Sequence, residues 1–345
     1  MATGAAAPLL EVEDLAVAFR TDDGVVEAVD GVSFEVRPGE TLAVVGESGS
    51  GKSVTALAIM RLLPRSARIT GRVTFDGRSL LELPDERMRT VQGADIAMVF
   101  QDPMTALNPV FRVGAQIIEA IQVHDASVAD EDARERAVEL LTLVGIPEPR
   151  LRVDAYPHEL SGGMRQRAMI AMAISNRPRL LIADEPTTAL DVTIQAQVME
   201  VIADVQEATG AAVMLITHDL GLVAGTADRI QVMYGGRIFE SADTDTVFYR
   251  SRNPYTLGLM ASIPSAATRT SRRLEPIPGS PPSAIALPSG CVFRPRCAIA
   301  TEACLEPPAL ITVPGAAEGA EHLTRCHRAS ELPGALLAAS PEGAR

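Results

Sequence analysis

The chain has 345 residues, of which 47% are hydrophobic, 22% charged and only 3% aromatic, and its net charge is −13. That length supports one large domain plus a smaller one, and the acidity argues against a sequence-independent nucleic-acid binder. There is no run of about 18 apolar residues and no basic stretch ahead of a long apolar one near the N-terminus. The expectation is a cytosolic chain with a core of Ala, Val, Leu, Ile and Met.

Residues 9–45 alternate short apolar runs, such as Leu15-Ala16-Val17-Ala18-Phe19 and Val32-Ser33-Phe34-Glu35-Val36, with turn signals such as Pro38-Gly39. This predicts antiparallel strands. Thr41-Leu42-Ala43-Val44-Val45 predicts a buried strand, and Ser53 to Leu63 a helix stopped by Pro64. Between them lies Gly46-Glu47-Ser48-Gly49-Ser50-Gly51-Lys52-Ser53, the G-x-x-x-x-G-K-S pattern of a phosphate-binding loop in its strand–loop–helix context. Lys52 is the only lysine among 31 basic residues. Coding bias explains the arginines, and the exception marks a place that needs a compact ammonium. Backbone N–H groups of the loop would face β- and γ-phosphates, Lys52 would bridge them, and Ser53 would ligate Mg²⁺.

Further on, Gly114 to His124 and Asp130 to Val144 have helical periodicity, closed by Pro147 and Pro149. They predict a helical subdomain over about 104–175. Leu180 to Ala183, Ala212 to Ile216 and Arg229 to Met233 predict parallel strands, the first two joined by a helix over Val192 to Thr209. The first of these strands ends in Asp184-Glu185. At a sheet's carboxyl edge Asp184 would hold the metal through its shell, and Glu185 would polarise a water in line with the γ-phosphate. No Cys/His or Ser/His/Asp set offers a nucleophile in residues 1–250, so direct attack by water is expected.

Composition shifts near residue 251, which predicts a boundary between 1–250 and 251–345. Thirteen of the 24 prolines follow it, and stretches such as Pro276-Ile277-Pro278-Gly279-Ser280-Pro281-Pro282 exclude helix and central strand. The final dozen residues are expected to be disordered. All four cysteines, Cys291, Cys297, Cys304 and Cys326, lie here with spacing C-x₅-C-x₆-C-x₂₁-C. In a reducing compartment such clustering favours a metal site over disulfides. The spacing is wider than that of zinc pairs, which favours a [4Fe–4S] cluster held by four thiolates, with Zn²⁺ as the alternative. Arg294, Arg296 and His327 stand ready to stabilise thiolate charge.

Leu160-Ser161-Gly162-Gly163-Met164-Arg165-Gln166-Arg167 resembles the signature sequence of ABC transporter ATP-binding subunits, with Met164 where Gln is commoner. The resemblance implies an α/β fold: a P-loop ABC ATPase domain with a RecA-like core, an antiparallel β subdomain and a helical subdomain, plus a small irregular Cys-containing C-terminal extension. It implies that Ser161, Gly162, Gly163 and Gln166 contact ATP held by an opposing subunit. Gln101 in Phe100-Gln101-Asp102-Pro103 resembles the family's Mg²⁺-sensing glutamine, and His218 the histidine that contacts the γ-phosphate. Asp191, in Ala189-Leu190-Asp191, resembles the aspartate that contacts the other subunit, and an ordinary helix N-cap is its other reading. Phe19 resembles the ring that stacks on adenine, with a core role as the alternative.

Within the family, Phe100 to Pro109, Asn253-Pro254-Tyr255-Thr256 and Gly290 to Cys297 are similar to the oligopeptide/dipeptide/nickel importer group. That likeness implies an ATPase subunit driving peptide import at the cytoplasmic face of a bacterial membrane. Its partners would be a second ATPase subunit, of different sequence as the family tends to have, two permeases docking near Gln101 and the helical subdomain, and a substrate-binding protein. Nickel or another small solute, a non-transport ABC ATPase and a redox or metal-sensing regulator built on a nucleotide switch remain alternatives.

Overall fold

The computed structural model describes residues 7–22, 24–188, 191–263, 277–313 and 321–332. Pro276, the final dozen residues, and Ala189 and Leu190 beside Asp191 lie outside the described residues. The strands in chain order are β1 (Leu10–Thr21), β2 (Gly24–Val36), β3 (Thr41–Val45), β4 (Ala67–Phe75), β5 (Arg78–Ser79) and β6 (Ile96–Val99). After them come β7 (Leu180–Asp184), β8 (Ala212–Thr217), β9 (Arg229–Tyr234), β10 (Arg237–Asp243), β11 (Ile311–Thr312) and β12 (Leu323–Thr324).

Two compact units interleave along the chain. The first takes residues 1–10, 35–41 and 74–216. Its strands run in the order β8-β7-β6, and both pairings are parallel. Every residue of these three strands is buried, as near-continuous apolar strands covered on both faces should be. The helix Val192–Thr209 links β7 to β8, as the sequence predicts. Helices Val113–Gln122, Asp130–Leu143 and Gly162–Ala173 pack on one another, and the first two lie within two residues of their expected limits. Gln116 holds the segment ahead of them. Its amide oxygen accepts from the Asn108 N–H (2.8 Å), and its Nε2 donates to the carbonyls of Asn108 (3.0 Å) and Phe111 (3.1 Å).

The second unit takes residues 11–34, 42–73 and 217–345. Here β11-β12-β10-β9-β3 lie in that order, with β3 and β9 parallel and the other pairs antiparallel. β2, β1 and β4 lie side by side in a separate sheet. Strands β10 to β12 are not in the sequence reading. The proline-rich region is not wholly irregular, because it adds two short strands to the edge of a sheet.

An aliphatic core also tells only part of the story. Among the described residues the two largest fully buried side chains are Tyr234 and Tyr255. With Phe239 and Phe293 they form one aromatic cluster, with ring centroids 4.5–6.1 Å apart. Asn253 caps the helix Pro254–Ala261 by accepting from the Tyr255 N–H (3.0 Å), and its Nδ2 donates to the Phe239 carbonyl (2.8 Å). This is the physical content of the Asn-Pro-Tyr motif.

Candidate functional site

In the second unit, residues 46–53 leave the fully buried β3 and run into the helix Lys52–Ile59. Gly46 sits so close to β9 that a Cβ there would stand 2.2 Å from the Met233 carbonyl oxygen. Gly51 caps the helix at φ 101°, which glycine adopts without steric cost. Lys52 is 4% exposed, and its Nζ donates to the carbonyls of Gly46 (2.7 Å) and Glu47 (3.0 Å). The ammonium therefore lies folded against its own loop, on a helix N-terminus that favours anions. Ser50 is buried and Ser53 half-buried. His218, just past β8, is exposed, and Phe19 is half-buried on β1.

The first unit carries the acidic residues. Asp184 ends β7 and is buried. Glu185 follows at φ 46°, a left-handed value that a side-chain-bearing residue holds only when its surroundings impose it. Its carboxylate accepts from Gln101 Nε2 (3.2 Å) and Thr188 Oγ1 (2.8 Å), and its N–H donates to the Ile216 carbonyl (2.9 Å). Gln101 and Glu185 are thus brought together. Thr188 is a partner that no sequence pattern singled out.

Ser161 caps the helix Gly162–Ala173 by accepting from the Met164 N–H (3.3 Å), and Ser161 and Gly162 are exposed. Gln166 is placed otherwise than the exposed Ser161 and Gly162. It is 1% exposed and turned into the unit's interior, because it lies a full turn past the cap on the buried face of the helix. Asp191 is an N-cap, its Oδ1 accepting from the N–H groups of Thr193 (3.1 Å) and Ile194 (3.0 Å).

The four cysteines are free thiols and line one cavity of about 20 Å³, roughly the room one water needs. Arg294 and Arg328 also line it. Burial pushes the thiols of Cys291 and Cys297 up and that of Cys326 up to about 11. The expected iron–sulfur or zinc ligand set is not preformed. Among the described residues no group of three or more His, Cys, Asp or Glu side chains is placed to hold a metal ion. Arg296 and His327 do not serve the thiols either. Arg296 pairs with Glu47, and His327 Nε2 lies 3.0 Å from the Glu306 carbonyl oxygen. Arg294 Nη1 is buried with no hydrogen-bond acceptor.

Residues 29–188 match the family model described as ABC transporter, and residues 239–304 match that described as oligopeptide/dipeptide transporter, C-terminal region. The oligopeptide transport ATP-binding protein OppD of Bacillus subtilis is 52% identical over 84% of this chain and 81% of its own length. That of Salmonella typhimurium is 50% identical over 88% of this chain and 90% of its own. This chain belongs to the oligopeptide-type ABC transporter ATP-binding family. OppD of Mycobacterium tuberculosis is 52% identical over 95% of this chain, which spans only 53% of that relative. The ABC ATPase fold follows as well. The ATP-binding cassette MJ0796, in a dimeric post-hydrolysis state bound to ADP and Pi, matches with TM-score 0.62 and 26% identity over 68% of this chain and 98% of its own.

Proposed function

We propose that this chain hydrolyses ATP to power peptide import by an ABC transporter, with nickel or another small solute as the alternative cargo. What supports the reading most is the loop 46–53, where the single lysine lies against loop carbonyls at a helix N-terminus. In this reading the N–H groups from Gly46 to Ser53 and the Lys52 ammonium bind the phosphates, and Phe19 stacks on the base. Ser53, Gln101 and Asp184 supply hydroxyl, amide and carboxylate oxygens, a donor set that suits Mg²⁺, whose charge would offset that developing on the phosphates. Glu185, fixed by Thr188 and Gln101, takes a proton from the attacking water, and His218 contacts the γ-phosphate.

Ser161, Gly162 and Gly163 contact nucleotide on a second ATPase subunit, of different sequence as the family tends to have, and Asp191 meets that subunit. Residues 251–345 form the peptide-importer extension. Phe100, Met104, Val110 and Phe111 are exposed apolar side chains in the first unit, 40–70% accessible, and fit docking to two permeases supplied with solute by a binding protein. Among the described residues no helix is long and apolar enough to cross a membrane, which agrees with peripheral attachment at the cytoplasmic face. The tagged chain, purified from membranes, should bring both permeases and the second ATPase with it. A lone chain hydrolysing ATP at the assembly's full rate would refute the scheme.

A second reading concerns the cysteines. Four thiols on one cavity beside an Arg294 Nη1 that lacks an acceptor favour an anionic metal–sulfur group, a [4Fe–4S] cluster ahead of Zn²⁺. Cys291, Cys297, Cys304 and Cys326 would hold it, and it would tie together a segment with little regular structure. Iron and acid-labile sulfide should be measurable in anaerobically purified protein and lost in Cys297→Ser. Zinc without iron would favour the alternative, and neither metal would refute both.

A further inference from the structure

We infer that Arg296, a residue of the C-terminal region, is a positioning residue for the phosphate loop and acts through Glu47. The inference rests on the ATP-binding reading of residues 46–53. Arg296 is 7% exposed and meets Glu47 fork to fork. Nη1 lies 2.5 Å from Glu47 Oε2, and Nη2 lies 2.9 Å from Oε1. The guanidinium is itself fixed. Its Nε donates to the Pro278 carbonyl (2.9 Å), and Nη1 donates to the Tyr234 hydroxyl (3.2 Å). Two parallel bonds between planar groups set orientation as well as distance, which a lysine cannot do.

Glu47 is held at two further points. Its backbone N–H donates to the hydroxyl of the fully buried Tyr255 (2.9 Å), and its carbonyl accepts from Lys52 Nζ (3.0 Å). The second residue of the cradle therefore has its carboxylate, amide and carbonyl fixed, two of the three by side chains some 200 or more positions away in sequence. The charge matters as much as the geometry. A carboxylate in a loop that must accept a triphosphate repels it unless a cation offsets it, and in this part-buried place water screens poorly. Arg296 both offsets the charge and holds it away from the N–H groups that the phosphates need.

The purified full chain, titrated with MgATP by displacement of a fluorescent ATP analogue, tests this. Arg296→Met should raise the Kd at least tenfold while the nucleotide-free protein still melts cooperatively. Adding Glu47→Gln to Arg296→Met should bring the Kd back to within threefold of the wild type, because the uncompensated charge is then gone. A merely structural arginine would show no such rescue, and that result overturns the inference, as would wild-type affinity in Arg296→Met. If Arg296→Met does not fold, Arg296→Lys keeps the charge and loses the fork. It should bind at least threefold more weakly, and unchanged affinity overturns the inference. The underlying reading fails separately, if the wild type does not bind MgATP or Lys52→Ala binds as well as it does.

Discussion

Gly46→Ala should damage the cradle without touching a charge. The added Cβ would stand 2.2 Å from the Met233 carbonyl oxygen and 2.8 Å from Ser50 Oγ. The serine can rotate, but the carbonyl belongs to β9, which is paired to both β3 and β10. Contacts under 3.0 Å essentially never occur at real Cβ atoms, so the loop must retreat by at least 0.8 Å, the difference between 3.0 and 2.2 Å. Overpacking of this kind costs about 1–3 kcal/mol of stability. A displacement near 1 Å in a group that positions a reacting phosphate costs about a hundredfold in rate, or ~2.7 kcal/mol of barrier. The assay pairs a thermal melt of the nucleotide-free chain with an MgATP titration. A lower melting midpoint, weaker MgATP binding and a turnover in the assembled transporter reduced by about a hundredfold are expected. Binding within threefold of the wild type would refute the claim that the backbone approach of loop to strand sets the cradle.

Three further outcomes are expected. Glu185→Gln keeps the shape and the Thr188 contact but not the basicity, so turnover in the assembled transporter should fall by about 10²–10⁴ while ATP stays bound, and near-normal turnover in a single-turnover assay would contradict the assignment. Ser161→Arg should abolish ATPase activity in the assembly and leave nucleotide binding by the isolated chain intact, as a filter-binding comparison of the two would reveal. In the reduced, metal-free chain burial raises the thiol pKa values of Cys291, Cys297 and Cys326 above the ordinary 9.0, to about 11 for Cys326. The folded state thus holds protons that the unfolded state releases, so stability is intact below pH 9 and is lost as pH rises toward 11, which urea melts across that range would detect.

Much of the first unit is legible because its signals are local. The run Leu180 to Ala183 can only be a buried strand, and the pattern from Val192 to Thr209 only a long helix, so a parallel β7–β8 pair follows from handed connection rules. The phosphate loop is legible for the same reason, since one octapeptide carries cradle, cation and helix start. What could not be read is pairing over distance. β12 joins β10 through Glu240 and Thr324, short stretches whose strand character comes from the partner and not from their own sequence. Gln166 is the reverse case. The motif fixes its place in the chain, but the direction of the helix face turns it inward. The left-handed backbone at Glu185 left no trace in residue type, because glutamate is not a residue that announces such a conformation.

The scarcity of aromatic residues gains meaning from where they stand. The chain has eight phenylalanines, four tyrosines and no tryptophan, yet Tyr234, Phe239, Tyr255 and Phe293 share one cluster behind the phosphate loop. The helix after that loop is built of hydroxyl-bearing and aliphatic residues, Ser53-Val54-Thr55-Ala56-Leu57-Ala58-Ile59, and has no aromatic ring of its own to fix it. Rigid rings lose little entropy on burial, and their hydroxyls can point at polar atoms that an aliphatic core would leave unpaired. Tyr255 does this for the Glu47 N–H, and Tyr234 for Arg296. Phe293 brings the cysteine-bearing segment into the same cluster. The nucleotide cradle and the C-terminal region therefore share one core. A substitution at Phe293 that loosens that core should be felt at Glu47 before it is felt in strands β6 to β8, which belong to the other unit.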